Sequence, residues 1–146
     1  MEEIDRVSAE VVDAAIQIHR ELGPGLLESV YETVLAASLV RSGLKVDRQM
    51  PIDINYDGMR FEAAFRIDLL VDKQLVVEVK SIERLAPVHA KQLITYLRLM
   101  KQPVGLLLNF GGETMKEGIR RLVNHYQSPS SSSASPRLRA KNEFGE

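Results

Sequence analysis

At 146 residues the chain has the length of one ordinary domain, and with 45% apolar residues it has ample material for a hydrophobic core. The absence of cysteine excludes a disulfide framework and a thiolate metal site, and a formal net charge of −1 excludes a global basic field that would draw the protein onto nucleic acid. No apolar run is long enough to span a bilayer, and Met1-Glu2-Glu3-Ile4-Asp5 is too acidic for a signal peptide, so a cytoplasmic location is expected.

Val11, Val12, Ala15, Ile16, Ile18 and Leu22 form a helical stripe over residues 8–22, stopped by Gly23-Pro24-Gly25. A second helix is predicted over 26–42 from Leu27, Val30, Tyr31, Val34, Leu35 and Leu39, with Gly43 as the residue just past its end. Extended segments follow. Residues 46–55 alternate around Met50, Ile52 and Ile54, and Asp57-Gly58 is a two-residue hairpin signal leading into a strand over 59–71. A third strand is predicted over 74–81. Pro87 suits the first turn of a helix running to about residue 101. Val104 to Phe110 is a continuous apolar run, the pattern of a buried strand. Residues 114–126 read as a last amphipathic helix. From 128 the composition turns to serine and proline, so 1–127 is expected to be a single domain and 128–146 a disordered, mildly basic tail. The order predicts a mixed α/β sheet covered by helices, with a parallel strand–helix–strand unit between residues 74 and 110.

Charge interrupts this pattern at one place. Glu78 and Lys80 lie within Leu75-Val76-Val77-Glu78-Val79-Lys80-Ser81, and their spacing of two puts both on one face of the strand. Burying such charges is costly unless they are paired or bound to a metal. Asp68 stands on the preceding strand. A three-residue loop, Asp72-Lys73-Gln74, places Asp68 opposite Glu78 on the same face, whereas a two-residue loop sends it to the other. The three-residue register is the expectation on which a metal site depends. Two carboxylates beside a lysine suit Mg²⁺, which takes one or two carboxylates and completes its shell with water. Lys80 would then orient or deprotonate an attacking water. Taken alone the spacing is loose, and an exposed edge with a cross-strand Glu–Lys pair explains it as well.

Other residues admit two readings each. Glu28 opens the second helix with Tyr31 three residues later on the same side, although carboxylates favour helix N-termini in any case. Gln92 and Tyr96, four apart, make a polar strip beside Leu93 and Leu97 that serves either a site or a wet helix edge. His19, His89 and His125 are too scattered for a metal pair. His89, on the helical face of Gln92, is the best candidate among them, with a structural role favoured. Arg66, on the strand face of Asp68, is expected to pair with a carboxylate rather than a substrate phosphate. Arg41, Lys45 and Arg48, then Lys91, Arg98 and Lys101, then Arg120 and Arg121 read as solvated faces before nucleic-acid contacts.

The stretch His19-Arg20-Glu21-Leu22-Gly23-Pro24-Gly25-Leu26-Leu27-Glu28-Ser29-Val30-Tyr31-Glu32 resembles the signature of the GxxExxY family, with Gly25, Glu28 and Tyr31 at its named positions. That family is placed in the PD-(D/E)XK nuclease-like superfamily. Arg66-Ile67-Asp68-Leu69-Leu70-Val71, Val77-Glu78-Val79-Lys80 and Gln92-Leu93-Ile94-Thr95-Tyr96-Leu97 look like its further motifs in the expected order, so the resemblance spans about residues 4–126. It implies a restriction-endonuclease-like αβββαβ core and a Mg²⁺- or Mn²⁺-dependent nuclease acting on DNA or RNA. Asp68 and Glu78 would be metal ligands, Lys80 the catalytic lysine, Glu28 an accessory acid and Gln92 a residue near the site, with Tyr96 at a further family position. No proline precedes Asp68, where the superfamily name would place one. The alternative is a non-catalytic module that keeps the fold and binds nucleic acid or protein. A domain this small would grip a duplex with the help of a partner or as a homodimer.

Overall fold

A computed structural model describes residues 2–125. The Ser/Pro-rich segment expected to be a tail lies outside the described residues. The chain runs through α1 (Glu2–Leu22), α2 (Glu28–Arg41), β1 (Val46–Tyr56), β2 (Met59–Val71), β3 (Leu75–Lys80), α3 (Pro87–Met100), β4 (Val104–Asn109), a 3₁₀ turn (Lys116–Gly118) and β5 (Ile119–Val123). The strands form one mixed sheet in the order β1-β2-β3-β4-β5. β3 and β4 are parallel, joined through α3, and every other neighbouring pair is antiparallel.

Alternation along β3 and β4 feeds two cores. Leu75, Val77 and Val79 of β3, with Val104, Leu106 and Leu108 of β4, pack with α1 and α2. Val76 and Leu107 turn the other way, onto Leu93 and Leu97 of α3. Both faces are covered, which is why these strands are apolar at nearly every position. Gly105 is where α3 comes closest, since a Cβ there would stand 3.2 Å from the Leu93 side chain.

Two turns are as the sequence predicts. Tyr56 pairs with Met59 across Asp57-Gly58, both at positive φ. Val71 pairs with Leu75 across the three-residue loop Asp72-Lys73-Gln74. Asp72 braces that loop by accepting the Lys45 amide at 2.9 Å.

The last helix predicted over 114–126 is not there in the described residues: a 3₁₀ turn and β5 take its place. Met115, Ile119 and Leu122 stand at helical spacing. Yet Ile119 packs with the α1/α2 core and Leu122 with the α3 core, the opposite-face placement that a strand gives. Pairing with β4 satisfies that strand's outer backbone groups, a gain a surface helix would not bring. No helix among the described residues is long and apolar enough to cross a membrane.

Candidate active site

β2 and β3 pair at only three positions, ending at Leu69 opposite Val77. Continuing the register puts Asp68 opposite Glu78. At this point side chains take over from the ladder. The Asp68 backbone amide donates to Glu78 Oε2 at 2.9 Å, and the Val79 amide donates to Asp68 Oδ2 at 2.8 Å. Each carboxylate therefore occupies the place of a carbonyl on the opposite strand. The exchange brings the two acids together and fixes their orientation by backbone rather than by flexible partners.

The strand bends where this happens. Phe65 and Ile67 face the α3 core, while Leu69 and Val71 face the α1/α2 core, so the alternation of β2 reverses across Asp68. On β1, between the paired positions Arg48–Leu69 and Met50–Ile67, Gln49 takes a φ of 49°. This kink lets β1 and β2 leave the sheet as a two-stranded ribbon and opens the gap that Asp68 and Glu78 fill.

Glu78 is 6% exposed, and its carboxyl is pushed up to about 8. Burial is the largest cause, followed by the charge of Asp68, with a smaller push from Glu32. The Asp68 amide and the Lys80 ammonium pull the other way. Lys80 is half-buried, two residues on along the same face. Tyr96 of α3 reaches the same place: its ring stacks on Phe65 at 4.1 Å, and its hydroxyl is raised by burial and then by the charges of Glu78 and Asp68.

Three further residues, which sequence reasoning missed, belong to the cluster. Glu32 of α2 is 6% exposed and accepts from Gln49 Nε2 at 2.8 Å and from Arg48 at 3.2 Å. The same Gln49 nitrogen donates to Asp68 Oδ1 at 3.3 Å. Glu32 thus reaches the acid pair through one amide, with the Arg48 charge beside it. Arg48 is exposed, as expected of a solvated face, and also pairs with Glu32. Glu32 did leave a signal: Tyr31, Glu32, Leu35, Ala36 and Leu39 are the buried stripe of α2, and an acid on such a stripe calls for a partner.

The other predicted residues are dispersed. Glu28 is exposed at the first turn of α2 and accepts the Ser81 amide at 3.4 Å, next to Lys80 in sequence. It borders a cleft of about 720 Å³ with Leu27, Ser81 and Glu83, to which Asp68, Glu78 and Lys80 do not contribute. Tyr31 is fully buried against Phe110, with ring centroids 4.5 Å apart. Its hydroxyl donates to the Gly23 carbonyl and accepts from the Leu26 amide at 3.1 Å, clamping the Gly-Pro-Gly turn. Gln92 is exposed, and its side chain makes no hydrogen bond among the described residues. His89 Nδ1 accepts the Ala86 amide at 3.0 Å, a helix-capping role. Arg66 is exposed and makes no ion pair among the described residues, contrary to the pairing expected for it. The β2 kink removes the simple alternation on which that pairing rested.

Among the described residues no group of three or more His, Cys, Asp or Glu side chains is gathered closely enough to bind a metal by itself. Two carboxylates with water suffice for Mg²⁺. The donor set fits such an ion: both acids are oxygen donors, they are oriented by amides, and burial, then the charge of Asp68, disfavours ionisation of Glu78 until a cation balances it.

A family model described as the PD-(D/E)XK nuclease superfamily matches residues 5–122. No curated protein matches the chain. A solved structure titled "Crystal structure of SSO0001" is similar at 12% identity and a TM-score of 0.40, over 97% of this chain and 87% of that one.

Proposed function

The chain belongs to the PD-(D/E)XK nuclease superfamily, and on that footing we propose that it hydrolyses phosphodiester bonds in DNA or RNA with Mg²⁺ or Mn²⁺ held by Asp68 and Glu78. The observation that carries this reading is the reciprocal grip of the two acids on each other's strand, with Glu78 buried and raised to about 8 and Lys80 beside it. When bound, such an ion lowers the pKa of a coordinated water and stabilises charge on the phosphate.

The residues divide the remaining work. Asp68 and Glu78 supply ionised oxygens, and proton release from Glu78 accompanies binding. Lys80 is assigned two roles: it orients the attacking water, or as the neutral amine helps deprotonate it, and as the ammonium it balances charge on the phosphate. Glu32, coupled through Gln49 to Asp68, takes the accessory acidic role for which Glu28 is the sequence candidate. Glu28 and Ser81, which line the cleft beside Lys80, are assigned to contact the substrate strand. Tyr96 closes the site from the α3 side, and Gln92, one turn before it, faces solvent where substrate would approach. Gly25, Glu28 and Tyr31 support assignment to the GxxExxY group, and a cytoplasmic location fits a nuclease of this composition.

The test is cleavage of a panel of DNA and RNA substrates with Mg²⁺, Mn²⁺ or EDTA. Lys80→Ala and Asp68→Ala are expected to lower the metal-dependent rate by roughly 10²–10⁴-fold with the fold retained. Equal cleavage by wild type and both variants would remove the proposal. The net charge of −1 favours one second reading, a module that binds the ion and a partner without turnover. Mn²⁺ binding lost in Asp68→Ala, with no cleavage of any substrate by wild type, supports that reading instead.

A further inference from the structure

We propose that Gln49 is a positioning residue: its side-chain amide, brought onto the acids by a left-handed backbone conformation, ties the Glu32 carboxylate to the Asp68 carboxylate, which with Glu78 receives a divalent cation. The inference rests on the metal-dependent reading above and deepens it, since that reading uses Gln49 of β1 only as the link between Glu32 and Asp68.

Successive strand residues point to opposite faces. Arg48 and Gln49 do not: both donate to Glu32, Arg48 to Oε2 and Gln49 to Oε1. The φ of 49° at Gln49 accompanies this convergence. Residues other than glycine, asparagine and aspartate seldom adopt that conformation, and a glutamine has no local use for it. Packing does not account for the side chain either, since Gln49 is an exposed residue. Its contacts do. Nε2 carries two hydrogens, and it lies 2.8 Å from Glu32 Oε1 and 3.3 Å from Asp68 Oδ1. One amide therefore spans two acids that come from different elements, α2 and β2.

The chemistry favours an amide at this point. A lysine or arginine bridging the same oxygens would neutralise them and compete with the incoming cation. An amide donates to both and leaves their charge in place. Glu32 keeps Arg48 on its other oxygen, while Asp68 keeps the Val79 amide, so each acid is oriented from two sides. Residues that orient ligands in this way commonly govern metal affinity without touching the metal.

The experiment is calorimetric titration of the full chain with MnCl₂, together with thermal melting in EDTA. Wild type, Gln49→Met, Gln49→Gly and Asp68→Asn are compared. Methionine keeps the length and removes the donor. Glycine removes the donor and accepts the positive φ freely, so a folded variant is available even if methionine disturbs β1. Both Gln49 variants are expected to bind Mn²⁺ roughly 10–100-fold more weakly, with Gln49→Gly melting no lower than wild type in EDTA. A merely structural role would move the melting temperature and leave the affinity of folded protein unchanged. If wild type binds Mn²⁺, Asp68→Asn abolishes binding and both Gln49 variants bind like wild type, the role of Gln49 is overturned while the metal site stands. If wild type itself binds no Mn²⁺, both fall together.

Discussion

The two halves of the β2–β3 contact solve the same problem by different means. From Leu69 to Val71 the strands pair with Leu75 to Val77, and every one of these side chains is buried in one of two apolar cores. One residue further, the backbone separates and carboxylates of Asp68 and Glu78 serve as acceptors for the amides left over. The first half is held by packing that tolerates no gaps. The second is held by charge that is uncomfortable as it stands. A strand pair that simply continued would have been more stable and would have had no chemistry, so the difference marks where stability gives way to function.

The comparison can be broken first at the apolar half. Leu69→Ala removes a fully buried side chain from the α1/α2 core and is expected to cost about 2–5 kcal/mol, read from urea unfolding. Little change in stability would mean that the ladder, not the packing, holds the strands.

A smaller effect, specific to the acidic half, depends on pH. The Glu78 carboxyl in the fold is raised from its ordinary value to about 8. Its neutral form is therefore favoured by folding, the full benefit is present below about pH 4.5, and it is lost as pH rises through 8. Without divalent ions, stability should fall between about pH 5 and 9 by on the order of 3 kcal/mol more in wild type than in Glu78→Gln, measured by urea unfolding in EDTA. Parallel profiles for the two proteins would show that Glu78 is not the group being forced to ionise. Added Mn²⁺ should flatten the wild-type slope, because the cation replaces the proton.

The smallest effect expected lies in the turn before α2. Tyr31→Phe keeps the stack on Phe110 and loses the hydroxyl that ties the Gly23 carbonyl to the Leu26 amide. It should lower unfolding stability by about 1 kcal/mol and leave Mn²⁺ affinity unchanged. A drop in metal affinity would place Tyr31 in the site rather than beneath it.

Much of the fold is legible in the amino-acid sequence because local signals agree with the long-range pairing. Asp57-Gly58 and Asp72-Lys73-Gln74 set two hairpin registers, and the length of the second loop is enough to put Asp68 opposite Glu78. What cannot be read is whatever depends on breaking a period. β5 hides behind residues at helical spacing, since pairing to β4 outweighs a weak stripe. Arg48 and Gln49 hide because neighbours on a regular strand cannot share a target, and nothing local announces a left-handed glutamine. Glu32 is visible only as an acid on an apolar stripe, next to a tyrosine that draws attention away from it. Glu28 and Gln92 stand out by resemblance; Glu28 accepts the Ser81 amide, next to Lys80, and Gln92 is exposed on α3.

The hydrogen bonds that the Asp68 and Val79 amides give to the Glu78 and Asp68 carboxylates also set the time dependence of this region. In the neighbouring ladder an amide reaches solvent only when strands come apart. The amides of Asp68 and Val79 are covered by side-chain oxygens instead, so a rotamer change is enough to uncover them. Hydrogen exchange at these two positions consequently follows the motion of the carboxylates, and an occupant that immobilises those carboxylates slows it without altering the rest of the sheet.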